Sequence, residues 1–262
     1  MTALAEKPCS APPAATDAPE RWLGSSSLLD LDDPRLRLRT HSLTQLCKSE
    51  RDKALTVYGF VKRIAFAKPL KMRLRTAREV FDAGRGDAPD KVVLLISMLR
   101  LVGIPARIRY VELRGEILRG LTSSIASAAR PVAEIWLNGR CVRTDTYIFD
   151  AGYMAAARQC LKKHDWEWGY GIHRNGHSIW NGVDSAYVGA QPTAEDPMVV
   201  ADLGLFSDPQ EFVSSDIYRR NHPRLTRALH WNLLAPLMER SIRELREDST
   251  FGNTTAGARK IT

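Results

Sequence analysis

The chain has 262 residues, of which 44% are hydrophobic and 26% are charged, a composition typical of a globular protein with a sizeable core. Its four cysteines show neither the paired spacing of a zinc ribbon nor the density of a disulfide scaffold, and its formal net charge is +8 at pH 7. No apolar run approaches the ~18 residues of a membrane span and no secretory signal is evident, so we expect a cytoplasmic protein with reduced thiols.

The positive charge is concentrated in residues 35–78. This segment holds 13 lysines and arginines against two acidic residues, so it carries +11 while the remainder of the chain carries about −3. Such a segment favours an anionic small molecule, an acidic carrier protein or nucleic acid as partner, although an ordinary solvated helix face explains it equally well. Nucleic acid is the weakest of these interpretations, because the segment has no interleaved stacking platform and no nucleic-acid motif.

The N-terminal part of the chain predicts a tail followed by helices. Residues 1–20 are rich in alanine, proline and threonine without apolar periodicity, so we expect a disordered tail. Apolar positions at helical spacing across residues 40–64 predict two amphipathic helices, and the second is expected to start at Ser49.

Two further helices are predicted before the first strand. Residues 76–81 predict a short helix that ends at Gly84. The strongest helix prediction covers residues 90–102, with apolar residues at positions 92, 93, 95, 96, 99 and 101. Pro89 suits a first helical position and Gly103 suits the residue after a helix, so both ends of this helix are marked in the sequence.

A hairpin follows. Residues 107–113 and 132–137 predict strands, because β-branched and other apolar residues dominate them. Asn138 and Gly139 then form the dipeptide most typical of a tight hairpin turn, and residues 141–146 are expected to be the returning strand.

The C-terminal part is less regular. Residues 150–191 predict loops with many aromatic side chains, and residues 225–246 predict an amphipathic helix with alternating charge. We therefore expect one domain over residues 21–246, between the tail of residues 1–20 and a frayed tail of residues 247–262.

Two blocks around the predicted central helix resemble the transglutaminase-like superfamily. That family typically reads Gly-x-Gly-x-Cys-x-x-Lys before the helix and Arg-x-x-Gly-Ile-Pro-Ala-Arg after it. Here residues 84–91 read Gly-Arg-Gly-Asp-Ala-Pro-Asp-Lys, and residues 100–107 read Arg-Leu-Val-Gly-Ile-Pro-Ala-Arg. Residues 134–140 and Asp145 are similar to the family's later blocks, and residues 180–185 resemble a tail segment of bacterial members.

The resemblance implies an α+β, papain-like fold in which N-terminal helices pack on a small antiparallel sheet. It also implies a chemistry in which a cysteine at a helix N-terminus is activated by a histidine that an aspartate orients. In this chain Ala88 matches the cysteine position and Arg130 matches the histidine position, whereas Asp145 keeps its type. Alanine has no nucleophile, and an arginine with a pKa above about 12 is no general base near neutral pH, so the inherited thiol chemistry is expected to be absent.

Five residues are candidates for catalysis in the altered site. Asp87 is either a carboxylate acid or base or a helix cap. Arg130 either binds an anion or forms a salt bridge with Asp145 that fills the vacated site. His173 and His177 are either proton-transfer groups, because an unperturbed histidine pKa near 6.5 suits that task, or ordinary loop histidines.

Aromatic residues from the loop-rich segment, together with Tyr147, complete the expected site. Trp166, Trp168, Tyr170 and Tyr147 are candidate substrate-binding residues in a polar pocket wall with aromatic side chains. Cys141 is either a buried structural residue or a relocated nucleophile. Because the histidine spacing suits a metal only on a helix, we expect neither a metal nor another cofactor.

Three functions are compatible with these features. The first is a cysteine-independent enzyme of the lyase, isomerase or cyclase type, acting by acid/base catalysis on a small anionic or carrier-bound metabolite in specialised biosynthesis. The second is a non-catalytic pseudoenzyme that binds a ligand or a partner. The third is a Cys-to-Ala variant of an acyl transferase or amidase, against which Arg130 argues. We expect neither a nucleic-acid nor a membrane partner.

Overall fold

The structure is a computed structural model that describes residues 18–191, 195–221, 232 and 234–257. Its α-helices are α1 (Pro34–Thr44), α2 (Glu50–Arg63), α3 (Ala77–Ala83), α4 (Ala88–Leu101), α5 (Ala151–Lys163), α6 (Pro209–Ser214), α7 (Asp216–Asn221) and α8 (Ala235–Gly257). Its strands are β1 (Ala65–Phe66), β2 (Arg85–Gly86), β3 (Ala106–Arg114), β4 (Ser127–Leu137), β5 (Arg140–Thr144), β6 (Trp168–Gly169), β7 (Ile172–His173) and β8 (Val199–Phe206). Short 3-10 helices cover Pro19–Leu23 and Gly115–Leu118.

Helix α4 lies between a layer of helices and a sheet. Strands pair in the order β5-β4-β3-β8, and every neighbouring pair is antiparallel. Helices α1, α2 and α3 pack on one side of α4, while β3 and β4 pack on the other. Because α4 is enclosed on both sides, every residue from 90 to 100 is buried, which explains why apolar residues predominate in its sequence. The predicted α+β class is confirmed.

The N-terminal helix predictions are confirmed. Residues 40–64 contain the end of α1 and the whole of α2, and α1 begins earlier than expected, at Pro34. The hydroxyl of Ser49 accepts a hydrogen bond from the backbone N–H of Asp52 at 3.0 Å, so Ser49 is the predicted N-cap. The short helix α3 ends at Gly84, whose φ of 60° is left-handed.

The hairpin is also formed as predicted. Asn138 and Gly139 have φ values of 50° and 77°, the positive pair that a two-residue turn of this kind requires. Strand β4 begins at Ser127, five residues before the predicted start, so Arg130 lies within the sheet rather than before it.

The loop prediction for residues 150–191 is wrong in its first part. Helix α5 occupies Ala151–Lys163, and the carboxylate of Asp150 caps it by accepting from the backbone N–H of Tyr153 at 3.0 Å. The inner face of α5 is buried and consists of Tyr153, Met154, Ala156, Ala157 and Leu161. Strand β8 was also not predicted, and it forms the edge of the sheet beside β3.

Several predictions fall partly outside the described residues. Residues 1–17 of the predicted N-terminal tail and residues 258–262 of the predicted C-terminal tail lie outside them. So do residues 225–231 and 233 of the predicted C-terminal helix, which the structure describes as α8 from Ala235 to Gly257. No helix within the described residues is both long and apolar enough to span a membrane.

Candidate functional site

A cavity of about 250 Å³ opens at the N-terminal end of α4. Ala88 and Pro89 of the first helical turn form part of its wall, and Arg130 of β4 lines it as well. Most of the remaining wall is apolar and comes from distant parts of the chain, including Phe66, Leu74, Tyr110, Leu113, Ile117, Leu118, Leu121, Ile125, Ile148, Phe149, Phe212, Val213, Leu234 and Met238. The polar part of the wall is made by Lys68, Lys71 and Asp87 together with Arg130.

Asp87 fixes where α4 begins. Its carboxylate accepts from the backbone N–H of Asp90 at 3.3 Å, and the carboxylate of Asp90 accepts from the backbone N–H of Asp87 at 3.2 Å. This reciprocal capping satisfies two N–H groups that the helix itself leaves unpaired. Gly86 permits the close approach, because a Cβ atom at this position would lie 2.7 Å from the Cβ of Asp90.

Two lysines neutralise the cap. Lys68 Nζ lies 2.9 Å and Lys71 Nζ 2.5 Å from the carboxylate of Asp87, and Lys71 also lies 2.6 Å from Asp90. Burial alone would raise the pKa of Asp87, but the two lysines hold it well below its usual range. The pKa of Asp90 is instead raised, because burial and the negative charge of Asp87 both disfavour its ionised form. Asp87 is therefore an ionised helix cap, an arrangement that matches the structural alternative for this residue.

Arg130 and Asp145 form a second buried ion pair. Arg130 Nη1 lies 3.3 Å from the carboxylate of Asp145, and Arg130 Nη2 donates to the backbone oxygen of Gly171 at 2.5 Å. The other oxygen of Asp145 accepts from the backbone N–H of Val188 at 2.8 Å. Burial raises the pKa of Asp145, and the charge of Arg130 opposes that rise. The salt-bridge alternative for these two residues thus describes their geometry.

The three positions that carry the family resemblance meet at this place. Ala88 and Arg130 both line the cavity, and Asp145 lies behind Arg130 as its ion-pair partner. The arginine therefore makes the contact with the aspartate that the resemblance assigns to a histidine. None of the three described cysteines, Cys47, Cys141 and Cys160, lines the cavity.

The two histidines lie elsewhere. His173 is half-buried on β7, where its Nδ1 accepts from the backbone N–H of Asn175 at 3.0 Å. Burial lowers the pKa of His173. His177 is exposed, and neither histidine lines the cavity. Within the described part of the chain, no three histidine, cysteine, aspartate or glutamate side chains are grouped as a metal site requires.

The aromatic residues expected to bind substrate also lie outside the cavity wall. Trp166 stacks on His164 with ring centroids 4.8 Å apart, and Tyr170 packs near Trp166 at 6.5 Å. Trp168 packs on a small separate apolar cluster, and Tyr147 is fully buried with its hydroxyl donating to the backbone oxygen of Pro131 at 2.8 Å. Of residues 150–191, only Gly171 contributes to the cavity wall.

The cavity residues that sequence analysis missed are lysines and apolar side chains. Lys68 and Lys71 belong to the basic segment of residues 35–78. The excess of positive charge was therefore the one signal for cations at the site, but it did not distinguish these two lysines from the others. Tyr110 and Phe212, whose rings stack at 3.8 Å, come from β3 and α6 and meet only in the folded chain. No local pattern marks such a wall.

Comparison with known families agrees with the sequence motifs. Residues 38–146 match the model of the transglutaminase-like superfamily. This match confirms the predicted resemblance for the segment that includes Ala88, Arg130 and Asp145. A comparison with curated protein sequences gives no match.

Two solved structures are similar to part of the chain. One is a candidate cysteine protease from Cytophaga hutchinsonii, 17% identical with a TM-score of 0.39, and the alignment covers 50% of this chain and 40% of that protein. The other is a candidate protease from Parabacteroides distasonis, 16% identical with a TM-score of 0.33, covering 48% of this chain and 26% of that protein. In both cases this chain aligns with less than half of the other protein's length.

Proposed function

We propose that this transglutaminase-like core works without a thiol and binds a small organic anion with an apolar body. The observation that carries the proposal is the composition of the cavity wall at the N-terminus of α4. Apolar side chains make up most of that wall, cations outnumber carboxylates on its polar side, and the wall includes Ala88, which the sequence resemblance aligns with the family's nucleophile. This corresponds to the ligand-binding alternative from the sequence.

The size of the cavity sets the scale of the ligand. At the ~30 Å³ that a water-sized group occupies in a liquid, 250 Å³ accommodates about eight non-hydrogen atoms. A short acyl chain or a single aromatic ring of that size would bury most of its surface against the apolar wall. Such burial contributes roughly 25 cal/mol for each Å² of apolar surface removed from water.

The polar side of the cavity favours a negative group. An ammonium has three N–H donors and a guanidinium has five. Among the described residues, the ammonium of Lys68 donates one hydrogen bond, to Asp87, and the guanidinium of Arg130 donates one to Asp145 and one to Gly171, so both retain donors for an incoming carboxylate. The side chain of Lys68 is also a quarter exposed, which makes it reachable from the cavity.

The acid/base enzyme is the second candidate. Asp87 gives it little support, because two lysines keep its carboxylate ionised, and His173 and His177 lie outside the cavity wall. Asp145 favours it, since burial raises the pKa of this carboxyl and Arg130 connects it to the cavity. A lyase, isomerase or cyclase acting on an anionic or carrier-bound metabolite would have to use this pair.

Calorimetric titration with hexanoate, hexan-1-ol and hexylamine tests the binding proposal. Hexanoate has about eight non-hydrogen atoms, matching the cavity, so it should bind at least about tenfold more tightly than the alcohol or the amine. Ala88→Trp should abolish hexanoate binding because the indole fills the cavity. Lys163→Gln, which removes an exposed cation at the end of α5, should leave it unchanged.

Equal binding of hexanoate and hexylamine would contradict the anion preference, and full binding by Ala88→Trp would place the site elsewhere. The enzyme alternative is tested separately by denaturing the purified protein and identifying any small molecule released. Proton NMR of that molecule incubated with fresh protein then reports turnover. Conversion that Asp145→Asn abolishes would favour the enzyme, whereas an unchanged spectrum would favour the binding protein.

A further inference from the structure

A second concave surface lies at the opposite end of α4. It is a groove of about 730 Å³ lined by Leu38, His41, Ser42, Thr44, Gln45, Cys47, Lys53, Leu101 and Val102. Leu101 and Val102 end α4, whereas Ala88 of the cavity begins it. A helix rises 1.5 Å per residue, so the groove lies roughly 20 Å from the cavity and is a separate site.

Helix α1 forms one side of this groove and presents leucine to solvent. Its inner face is complete, because Leu36, Thr40 and Thr44 are buried against the core. Leu38 lies on the outer face and is 71% exposed, and Leu46 just beyond the helix is 87% exposed. These two exposed leucines lie beside a groove with an apolar floor. This combination is typical of a site that binds apolar anchor residues of another protein.

The same outer face is cationic. Helical periodicity places Arg35 and Arg39 on one side of Leu38, and Arg37 and His41 on the other. No residue of the groove wall is acidic. Among the described residues, no carboxylate forms an ion pair with the side chains of Arg35, Arg37 or Lys48, whereas Lys68 and Lys71 of the cavity are paired with Asp87. Arg39 lies over the ring of Phe60 at 5.2 Å.

We propose that this surface, formed by the groove and the outer side chains of residues 35–48, binds an acidic amphipathic helix of another protein. We call it the α1 face. Apolar side chains of the partner would pack between Leu38 and the floor made by Leu101 and Val102, as in other helix-in-groove complexes. Its carboxylates would pair with the unpartnered arginines at the rim, which speeds association and fixes orientation.

Two other classes of partner fit this surface less well. Binding of single-stranded nucleic acid uses aromatic platforms for the bases, and no phenylalanine, tyrosine or tryptophan lines the groove. A membrane-binding helix needs a continuous apolar face, whereas the apolar face of α1 is already buried and only separate leucines point outward. An acidic amphipathic helix would provide apolar contacts for the leucines and carboxylates for the cations.

The test uses fluorescence anisotropy with a labelled synthetic amphipathic helix of glutamate, alanine and leucine. Leu38→Ser removes an apolar contact from the interface and should weaken binding at least about tenfold. The double variant Arg35→Glu/Arg39→Glu should weaken it similarly at low salt and less at high salt. Lys163→Glu makes the same kind of charge change on α5 and should leave affinity unaltered. Ala88→Trp should also bind normally, which separates this result from the cavity proposal.

Three results would overturn the inference. The first is equal affinity for a scrambled peptide of the same composition, which would leave no role for an amphipathic helix. The second is equal weakening by Lys163→Glu, which would reduce the effect to net charge. The third is tighter binding of duplex DNA or of anionic phosphatidylserine vesicles, lost in the same α1-face variants, which would assign the surface to that partner.

Discussion

Replacing Arg130 by methionine should destabilise the protein mainly above the pKa of Asp145. The two side chains are buried, 8% exposed for Arg130 and 2% for Asp145, and the arginine is the ion-pair partner of the aspartate in the described residues. Without it the carboxylate keeps the backbone N–H of Val188 but loses its ion-pair partner. Removing one partner of a buried pair costs about 3–5 kcal/mol, so the thermal midpoint near neutral pH should fall by about 10 °C.

The pH dependence distinguishes this mechanism from simple loss of packing. Burial raises the pKa of Asp145 and Arg130 opposes the rise, so the pKa should be higher still in Arg130→Met. As the pH falls, the carboxyl protonates in the folded variant and the unpaired charge disappears. The destabilisation should then shrink as the pH falls through the raised pKa of Asp145, toward about 1–2 kcal/mol for the lost hydrogen bond to Gly171.

Urea denaturation of wild type and Arg130→Met at about pH 5 and about pH 8 measures the difference. The double variant Arg130→Met/Asp145→Asn carries no charge at the site and should show no extra pH dependence relative to wild type in this range. An equal loss of stability for Arg130→Met at both pH values would refute the reasoning, because it would mean that no charge on Asp145 is being compensated.

Three further substitutions test the site. Ala88→Cys places a thiol at the N-terminus of α4 among the cavity cations, so its pKa should fall below ~8.5 and iodoacetamide should alkylate it faster than an ordinary thiol at neutral pH. Ala88→Cys/Arg130→His should add hydrolysis of p-nitrophenyl acetate that the single variant lacks, and equal rates for the two would contradict the assigned positions. Asp87→Asn should cost about 2–4 kcal/mol near neutral pH in urea denaturation. Because the pKa of Asp87 is lowered on folding from 3.8, its contribution is present above that value and is lost as the pH falls, so wild type and variant should converge in acid. Gly171→Ala should lower the thermal midpoint much more than Gly139→Ala. Both glycines have positive φ, 81° and 77°, but an added Cβ at Gly171 meets a phenylalanine ring at 2.5 Å, whereas at Gly139 it meets nothing within 4 Å.

The parts of the fold that sequence could predict are those whose signals are local. Ser49 caps a helix through its own side chain, and Asn138 with Gly139 makes a turn through its own backbone. Strand β8 lacks such a signal, because Gly204 has a φ of 104° and its pairing with β3 shifts register, so the alternation of apolar residues is broken. Its position as a strand depends on β3, which is far away in sequence.

The predicted residues of the candidate site also form two groups, those that a sequence motif identified and those chosen for their chemistry alone. The motifs identified Ala88, Arg130 and Asp145 in advance, and the structure brings the three together. The residues chosen only because they are chemically capable, such as His173 and Trp166, lie outside the cavity wall. The sequence shows which chemical group a side chain carries, but it does not show which part of the folded protein that side chain faces.

The basic segment cannot be interpreted from its composition alone, because folding determines which of its cations form ion pairs. The basic excess of residues 35–78 suggested one anion-binding region beside the altered site. In the structure its later cations, Lys68 and Lys71 among them, are paired with the carboxylates of Asp87 and Asp90. The cavity can therefore hold at most a small anion, through the donors that these pairs leave over. The cations for which the described residues provide no carboxylate partner, such as Arg35, lie at the other end of α4, where we propose that an acidic helix binds. One stretch of sequence thus supplies two surfaces of different electrostatic character, and substitutions at one should leave binding at the other unchanged.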